Sequence, residues 1–240
     1  MALYLIGLGL GDEHDITLRG VNAVKKCQRV YLETYTSHLS SEHIQMMGRL
    51  YGKKILPAPR QFMEEGVEEL LKEAEKKDVA VLIVGAPLSA TTHLEIVLMA
   101  RKRNLACHVI ENASILTAVS ISGLSLYKFG RTTTIPFHHH NITSPYEVLC
   151  NNHKLGLHTL FLLDLQEGRM MTAREGLDYL LQQGMDKKVM VVGCGALGSE
   201  HPEVCVAPAS QLHLHSFPQC FIVPGKLSFK EKEALTLYKR

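Results

Sequence analysis

The run Leu3-Tyr-Leu-Ile-Gly-Leu-Gly-Leu-Gly-Asp12 decides how the rest of the chain is read. Four apolar residues lead straight into glycines at positions 7, 9 and 11, then an acid, then polar residues up to Thr17. An apolar run without polar alternation suits a strand covered on both faces, as in a parallel sheet. The glycines let the backbone turn tightly and let a ligand or another loop approach it. Open α/β sheets bind ligands beyond the carboxyl ends of their strands, and this loop lies at such an end. The loop departs from the dinucleotide fingerprint, because Asp12 stands where the third glycine belongs. Glu33 ends the next strand-like run and could imitate a ribose-holding acid. A tight strand-to-helix turn without a ligand stays open beside these readings.

Outward from this stretch, strand and helix patterns alternate, which points to parallel α/β architecture. Strands are expected at Arg29–Thr34, Val79–Val84, Ala106–Glu111, His158–Leu165 and Lys188–Val192. Short strands are expected at Gln211–Phe217 and Cys220–Val223. Helices are expected at Thr17–Cys27, Ser40–Tyr51 with Ser40 or Ser41 as N-cap, His93–Arg103, Thr172–Gln183 and Ser228–Tyr238. The clearest helical period lies in Phe62–Lys77, where Met63, Val67, Leu70, Leu71 and Ala74 share a face. Pro57 and Pro59 mark a loop, and His138–Pro145 reads as a long polar one. Two α/β domains are expected, residues 1–112 and 113–240.

With 240 residues, the chain is long enough for a large core. Acids and bases nearly balance at +2, without a block of like charges, so neither nucleic acid nor an anionic membrane is called for. The apolar runs fall short of a membrane span, and Asp12 comes too early for a secretory signal. Six scattered cysteines without a Cys-x-x-Cys pair suggest buried thiols in a reducing, cytoplasmic setting. The two glycosylation-like triplets at Asn112 and Asn141 therefore carry no weight.

The remaining motifs are weak. Gly193-Cys-Gly-Ala-Leu-Gly198 follows a strand, but Pro202 comes soon after and no helix pattern opens. His138-His-His140 are adjacent on a loop, so their rings point apart, and no metal is expected there. His213 and His215 alternate on the expected strand and so face one side. No acid–base or metal cluster of the kind that hydrolases and phosphotransferases use is evident. Methyl transfer from S-adenosylmethionine does not need one, because the sulfonium is already a good leaving group. Alignment of reactants alone can supply about 7–11 kcal/mol.

The ordered motifs resemble the diphthine synthase family, within the tetrapyrrole-methylase-like methyltransferases. The residues that carry the resemblance are the opening glycine run, Asp15-Ile-Thr17, Val30-Tyr-Leu-Glu33 with Tyr35-Thr-Ser37, and Val84-Gly85 with Pro87 and Ala90-Thr-Thr-His93. They continue with Asn112-Ala-Ser-Ile115, Leu126-Tyr-Lys-Phe-Gly130, Gly156, His158-Thr-Leu160 and Leu162-Leu-Asp164. The resemblance implies two α/β domains with the active cleft between them, usually in a homodimer. It implies successive methylation, from S-adenosylmethionine to S-adenosylhomocysteine, of the modified histidine on translation elongation factor 2. The product is diphthine or its methyl ester, in diphthamide biosynthesis.

By position, the resemblance puts Leu10, Ala86, Ser89, Ser114, Ile115, Leu163 and Leu197 at the cofactor. No general base is evident and the acceptor amine is expected to lose its proton to water, so the catalytic residues stay unassigned. Three positions depart from the family pattern: Ala86 replaces an aspartate, Ala196 an arginine, and Gln219 a histidine. These departures keep two further readings open. One is a catalytically impaired member that binds elongation factor 2 as an interaction module. The other is a methylase for another substrate, such as a tetrapyrrole.

Overall fold

A computed structural model describes residues 1–35, 41–166 and 168–239. Ser40, Thr36 and Ser37 therefore lie outside the described residues. The chain divides into two units, Met1–Leu116 and Thr117–Arg240.

The first unit contains β1 (Ala2–Gly7), α1 (Leu18–Lys26), β2 (Arg29–Glu33), α2 (Ser41–Tyr51), β3 (Ile55–Ala58), α3 (Arg60–Glu64), α4 (Val67–Ala74), β4 (Val79–Ile83), α5 (Leu94–Lys102) and β5 (Ala106–Ile110). Its five strands form one parallel sheet in the order β3-β2-β4-β1-β5. The run that opens the chain is thus an inner strand, with β4 on one side and β5 on the other. Side chains alternate between the two faces of a strand. Leu3 and Leu5, with Val79, Val81 and Ile83, pack on one side with Met63, Leu70, Leu71 and Ala100. Ile6, Ala80 and Leu82 pack on the other with Val24, Met47 and Tyr51. Each such fully buried aliphatic side chain contributes about 2 kcal/mol of transfer free energy.

Two expectations change here. Phe62–Lys77 is not one helix but α3 and α4, separated at Glu65–Gly66. The Glu65 and Gly66 N–H groups both donate back to the Gln61 carbonyl (2.8 and 3.2 Å), which closes the first piece. Met63, Val67, Leu70, Leu71 and Ala74 still share the buried side, because the period survives the break. Pro57 does not mark a loop but sits within β3, opposite Leu32. An edge strand tolerates proline, since its outer side needs no N–H donor.

A short α6 (Ile115–Ala118) runs across the boundary, and the second unit begins with two 3₁₀ turns, Val119–Ser122 and Leu126–Lys128. It contains β6 (Thr133–Ile135), α7 (Ser144–Lys154), β7 (Thr159–Leu163), the hairpin β8 (Leu165–Gln166) and β9 (Arg169–Met170), α8 (Ala173–Gln182), β10 (Met190–Gly195), β11 (Glu203–Pro208), β12 (Gln219–Val223) and α9 (Phe229–Thr236). The main sheet runs β11-β10-β12-β7-β6. It is mixed, with β6 and β7 as parallel neighbours and the other pairs antiparallel. Its core includes Phe161 stacked on Phe221, ring centroids 4.9 Å apart. Capping boxes fix the starts of α8 (Thr172 with Glu175) and α9 (Ser228 with Glu231).

Gln211–Phe217 is not a strand. It is an unpaired stretch that buries Leu212 and Leu214 across β10 at Gly193, leaving His213 and His215 exposed. The two histidine rings do lie on one side, 4.8 Å apart. β10 runs on through Gly193 and Gly195, and no helix opens after it, so the helix of a dinucleotide fingerprint is missing. No helix among the described residues is long and apolar enough to cross a membrane.

Candidate functional site

Parallel pairing puts the carboxyl ends of β4, β1 and β5 side by side, so the loops that follow them meet. The Leu8 N–H donates to the Ile83 carbonyl (2.8 Å). Beyond the strands, Gly85 N–H donates to the Gly9 carbonyl (2.7 Å), and Gly9 N–H returns to the Gly85 carbonyl (3.4 Å). From the third loop, the Asn112 amide donates to the carbonyls of Gly7 (2.9 Å) and Asp15 (3.0 Å). One side chain thus ties the loop after β5 to both ends of the loop after β1. The Asp15 carboxylate accepts Gly11 N–H (2.7 Å) and rounds off the first turn.

Gly9 and Gly85 both require the left-handed backbone region, at φ +84° and +78°. A Cβ at Gly9 would strike Asp15 at 2.6 Å. At Gly85 it would instead enter a space bounded by Leu10 (3.6 Å) and the Ala113 carbonyl (3.7 Å). That space is a cradle between the three loops. Leu10 is half-buried against it, Ala86 follows it and is buried, and Ser89 donates its N–H to the Ala86 carbonyl (3.2 Å). Ser114 is buried and its hydroxyl accepts Leu116 N–H (3.2 Å), while Ile115 beside it is half-buried. The five residues expected from the first unit therefore lie on three adjoining loops, with Ile115 opening α6 at the end of the third.

In the second unit, β7 and β10 run in the same direction on either side of β12. Leu162, Cys220 and Cys194 form one row across these strands. Leu163 ends β7, and Leu197 follows β10 by two residues, so both sit at the same end of the sheet, buried. Asp164 braces this end: its carboxylate accepts Phe137 N–H (2.9 Å).

Residues 2–213 match the Tetrapyrrole (Corrin/Porphyrin) Methylases family. The chain belongs to this methylase family. It is 39% identical to a diphthine synthase of Methanocaldococcus jannaschii, over 97% of each chain. It is 49% identical to a diphthine methyl ester synthase of Kluyveromyces lactis, in a match covering 68% of this chain and 56% of that relative. A crystal structure of diphthine synthase superposes with a TM-score of 0.93 at 32% identity, covering 100% of this chain and 96% of that one. Within the methylases the chain thus groups with the diphthine synthases, which are methyltransferases.

The donor set fits the sulfonium nucleoside that such methylases use. Leu10 gives an apolar wall, the Ala113 carbonyl gives an acceptor, and Gly85 leaves a side chain out from between them. Two of the family's departures now have a structural description. Ala196 takes a left-handed conformation (φ +47°), with its N–H on the Pro218 carbonyl (2.9 Å). Gln219 is buried with both amide ends engaged: its oxygen accepts Ala173 N–H (2.7 Å), and its NH₂ donates to the Leu214 carbonyl (3.2 Å). It braces the start of α8.

The same geometry places the remaining candidates. Glu33 is fully buried and accepts Tyr35 N–H (2.6 Å), so it does not hold a ribose. Among the described residues, the group of potential metal ligands that converges is Asp12, Glu13 and His14, within 4.8 Å of one another, and not His138–His140. Asp12 is already engaged by the backbone N–H (2.8 Å) and ring (3.2 Å) of His14, which closes a turn. His138–Asn141, with Phe137, Thr143, Gln182 and Gln183, line an open cavity of about 670 Å³. Sequence reasoning gave no role to Asn112 or His93, although both lie in quoted motifs. Their partners are distant in sequence, so only the fold reveals them.

Proposed function

We propose that the chain is an S-adenosylmethionine-dependent diphthine synthase. It methylates, successively, the amine of the aminocarboxypropyl group on the modified histidine of elongation factor 2, giving diphthine or its methyl ester. The observation that carries this reading is the convergence of three small-residue loops at the Gly85 cradle. Bound S-adenosylmethionine would supply a methyl group on a sulfonium leaving group. The chain's own part is positioning: Leu10, Ala86, Ser89, Ser114 and Ile115 bind and orient. Such alignment is worth up to roughly 7–11 kcal/mol, enough to act without a general base. The chain works in the cytoplasm as a homodimer. The exposed, adjacent Leu94 and Leu98 of α5 are apolar surface that a second copy would cover.

The test is incubation with labelled S-adenosylmethionine and aminocarboxypropylated, unmethylated elongation factor 2. Label on the factor supports the assignment. Its absence, where a typical family member transfers label, overturns it. The second reading, a binding module without activity, rests on the carboxylate missing at Ala86. Calorimetry with S-adenosylhomocysteine separates the two, since micromolar binding argues against an inactive site.

A further inference from the structure

We propose that His93 is a positioning residue for methyl transfer, holding the Gly85–Ser89 loop in its cofactor-binding shape by clamping Pro87 to Tyr35. The inference rests on the cofactor site proposed above and adds a part to it. His93 is buried, 1% exposed, immediately before α5. Its Nδ1 lies 3.2 Å from the Pro87 carbonyl and its Nε2 3.2 Å from the Tyr35 hydroxyl. A carbonyl only accepts, so Nδ1 carries the proton. Nε2 is then the acceptor for the Tyr35 hydroxyl, and the ring is one defined neutral tautomer.

The clamp grips the loop at its proline. Proline has no N–H, so Pro87 can be gripped only through its carbonyl. On one side of it lies Ala86 and the cradle, on the other Ser89. Tyr35 is itself fixed at the end of β2, its N–H on the fully buried Glu33 carboxylate. The clamp therefore joins the ends of two neighbouring strands, β2 and β4, under the cofactor loop. Because His93 is hidden, it acts through the loop and not on the substrate.

The groups that face the pair are Glu33 of β2, the Thr92 side chain, and Arg60 and Glu64 of α3 beside Tyr35. The Arg60 guanidinium sits 5.4 Å over the Tyr35 ring. Burial holds the His93 pKa below its ordinary value, against the opposing pull of Glu33. Burial, with Glu33 and Glu64, raises Tyr35 to about 12. At neutral pH both stay in the forms that the clamp needs.

The experiment compares S-adenosylhomocysteine binding by calorimetry for the full chain and its His93→Asn, His93→Ala and Tyr35→Phe variants, with melting curves as a folding check. Asparagine keeps an amide donor near the position of Nδ1; alanine removes it. His93→Ala should weaken binding about tenfold, Tyr35→Phe about threefold, and His93→Asn less than threefold. The KM for S-adenosylmethionine should rise in the same order, with kcat and the KM for the protein substrate within twofold. Equal losses for Asn and Ala overturn the proposal, because a merely space-filling histidine would behave that way. If His93→Ala does not fold, a folded His93→Asn that loses tenfold or more overturns it, and one that binds like the parent beside a weakened Tyr35→Phe supports it. Parent binding with indifferent variants defeats the clamp alone; a parent chain that binds no S-adenosylhomocysteine defeats the proposed function as well.

Discussion

The two units place their polar groups differently. In the first, the candidate site is made of backbone amides, small residues and one asparagine, at the meeting of three loops after parallel strands. In the second, a buried charge holds the fold. Glu231 is 1% exposed, and its carboxylate receives the N–H groups of Ser125 (3.0 Å) and Ser228 (2.7 Å), the ring of His158 (3.0 Å), and Lys128. His158 is itself fully buried, and its other ring nitrogen accepts Gly225 N–H (2.9 Å). An all-parallel sheet delivers all its strand ends to one edge, so small residues there suffice to build a site. A mixed sheet sends them to both edges. The second unit brings Leu163 and Leu197 to a shared end, and charged side chains fasten its α9. The contrast predicts that damage to the first unit appears in binding, and damage to the second in stability.

The largest expected effect belongs to Glu231→Gln. It neutralises a buried carboxylate that takes several charge-assisted hydrogen bonds, each worth about 1.5–3 kcal/mol, so the loss should reach about 3–5 kcal/mol. Urea unfolding should register that loss, while affinity for S-adenosylhomocysteine per folded molecule stays within twofold. The acid response sharpens the same point. Burial alone would raise the Glu231 pKa, but bonds from Lys128, Ser228, Ser125 and His158 outweigh it and hold it well below the carboxylate range. A depressed carboxyl contributes stability above its unfolded pKa, about 4.3, and loses it as pH falls further. Burial also lowers His158, against the pull of Glu231, so its contribution is complete above about 6.5 and fades on acidification. Both slopes run the same way: the parent should lose stability as pH drops, and Glu231→Gln should flatten the carboxyl part of that loss. A variant that keeps its stability but loses cofactor would undo the division between the units.

Next in size is Gly85→Val. Its φ of +78° excludes a β-branched residue without strain, and the new side chain would enter the space beside Leu10 and Ala113. Affinity for S-adenosylhomocysteine should fall about 100-fold, close to 2.7 kcal/mol. Backbone strain should cost about 1–2 kcal/mol in urea unfolding. If binding survives, the Gly85 cradle does not take the cofactor.

What could be read from the sequence follows the same line. Uninterrupted apolar runs at Leu3–Ile6 and Val79–Val84 marked the inner parallel strands, since burial on both faces leaves its mark in composition. Local rules failed where tertiary context overrode them. Pro57 reads as a loop until β3 is known to be an edge. Gln211–Phe217 alternates like a strand because it is half-buried on β10, yet it pairs with nothing in a ladder. Pro145 ends a polar run by inspection, whereas it opens α7 at the first-turn position that proline favours. The site was less legible than the fold. The glycine loops were visible as loops, but Leu10, Ser89, Ser114 and Leu163 were assigned only through resemblance to relatives. Asn112, Tyr35 and His93 work through partners far along the chain, which no local pattern encodes.

The smallest expected effect returns to Ala86, where the family resemblance implies an aspartate. Ala86 is 6% exposed and lies between Gly85 and the clamped Pro87. A carboxylate introduced there by Ala86→Asp would be partly desolvated in the free protein, so the ligand-free melting temperature should drop slightly. Bound ligand would supply the missing donor. A charge-assisted hydrogen bond contributes about 1.5–3 kcal/mol, part of which offsets that desolvation. S-adenosylhomocysteine should therefore bind about tenfold tighter to Ala86→Asp, measured by calorimetry at equal ionic strength. The ligand-induced rise in melting temperature should exceed that of the parent, since stabilisation follows the ratio of ligand concentration to Kd. Unchanged or weaker binding, in a variant that melts cooperatively, would mean that position 86 turns away from the ligand. The first unit would then bind without any charged side chain, and its contrast with the charge-fastened second unit would be sharper.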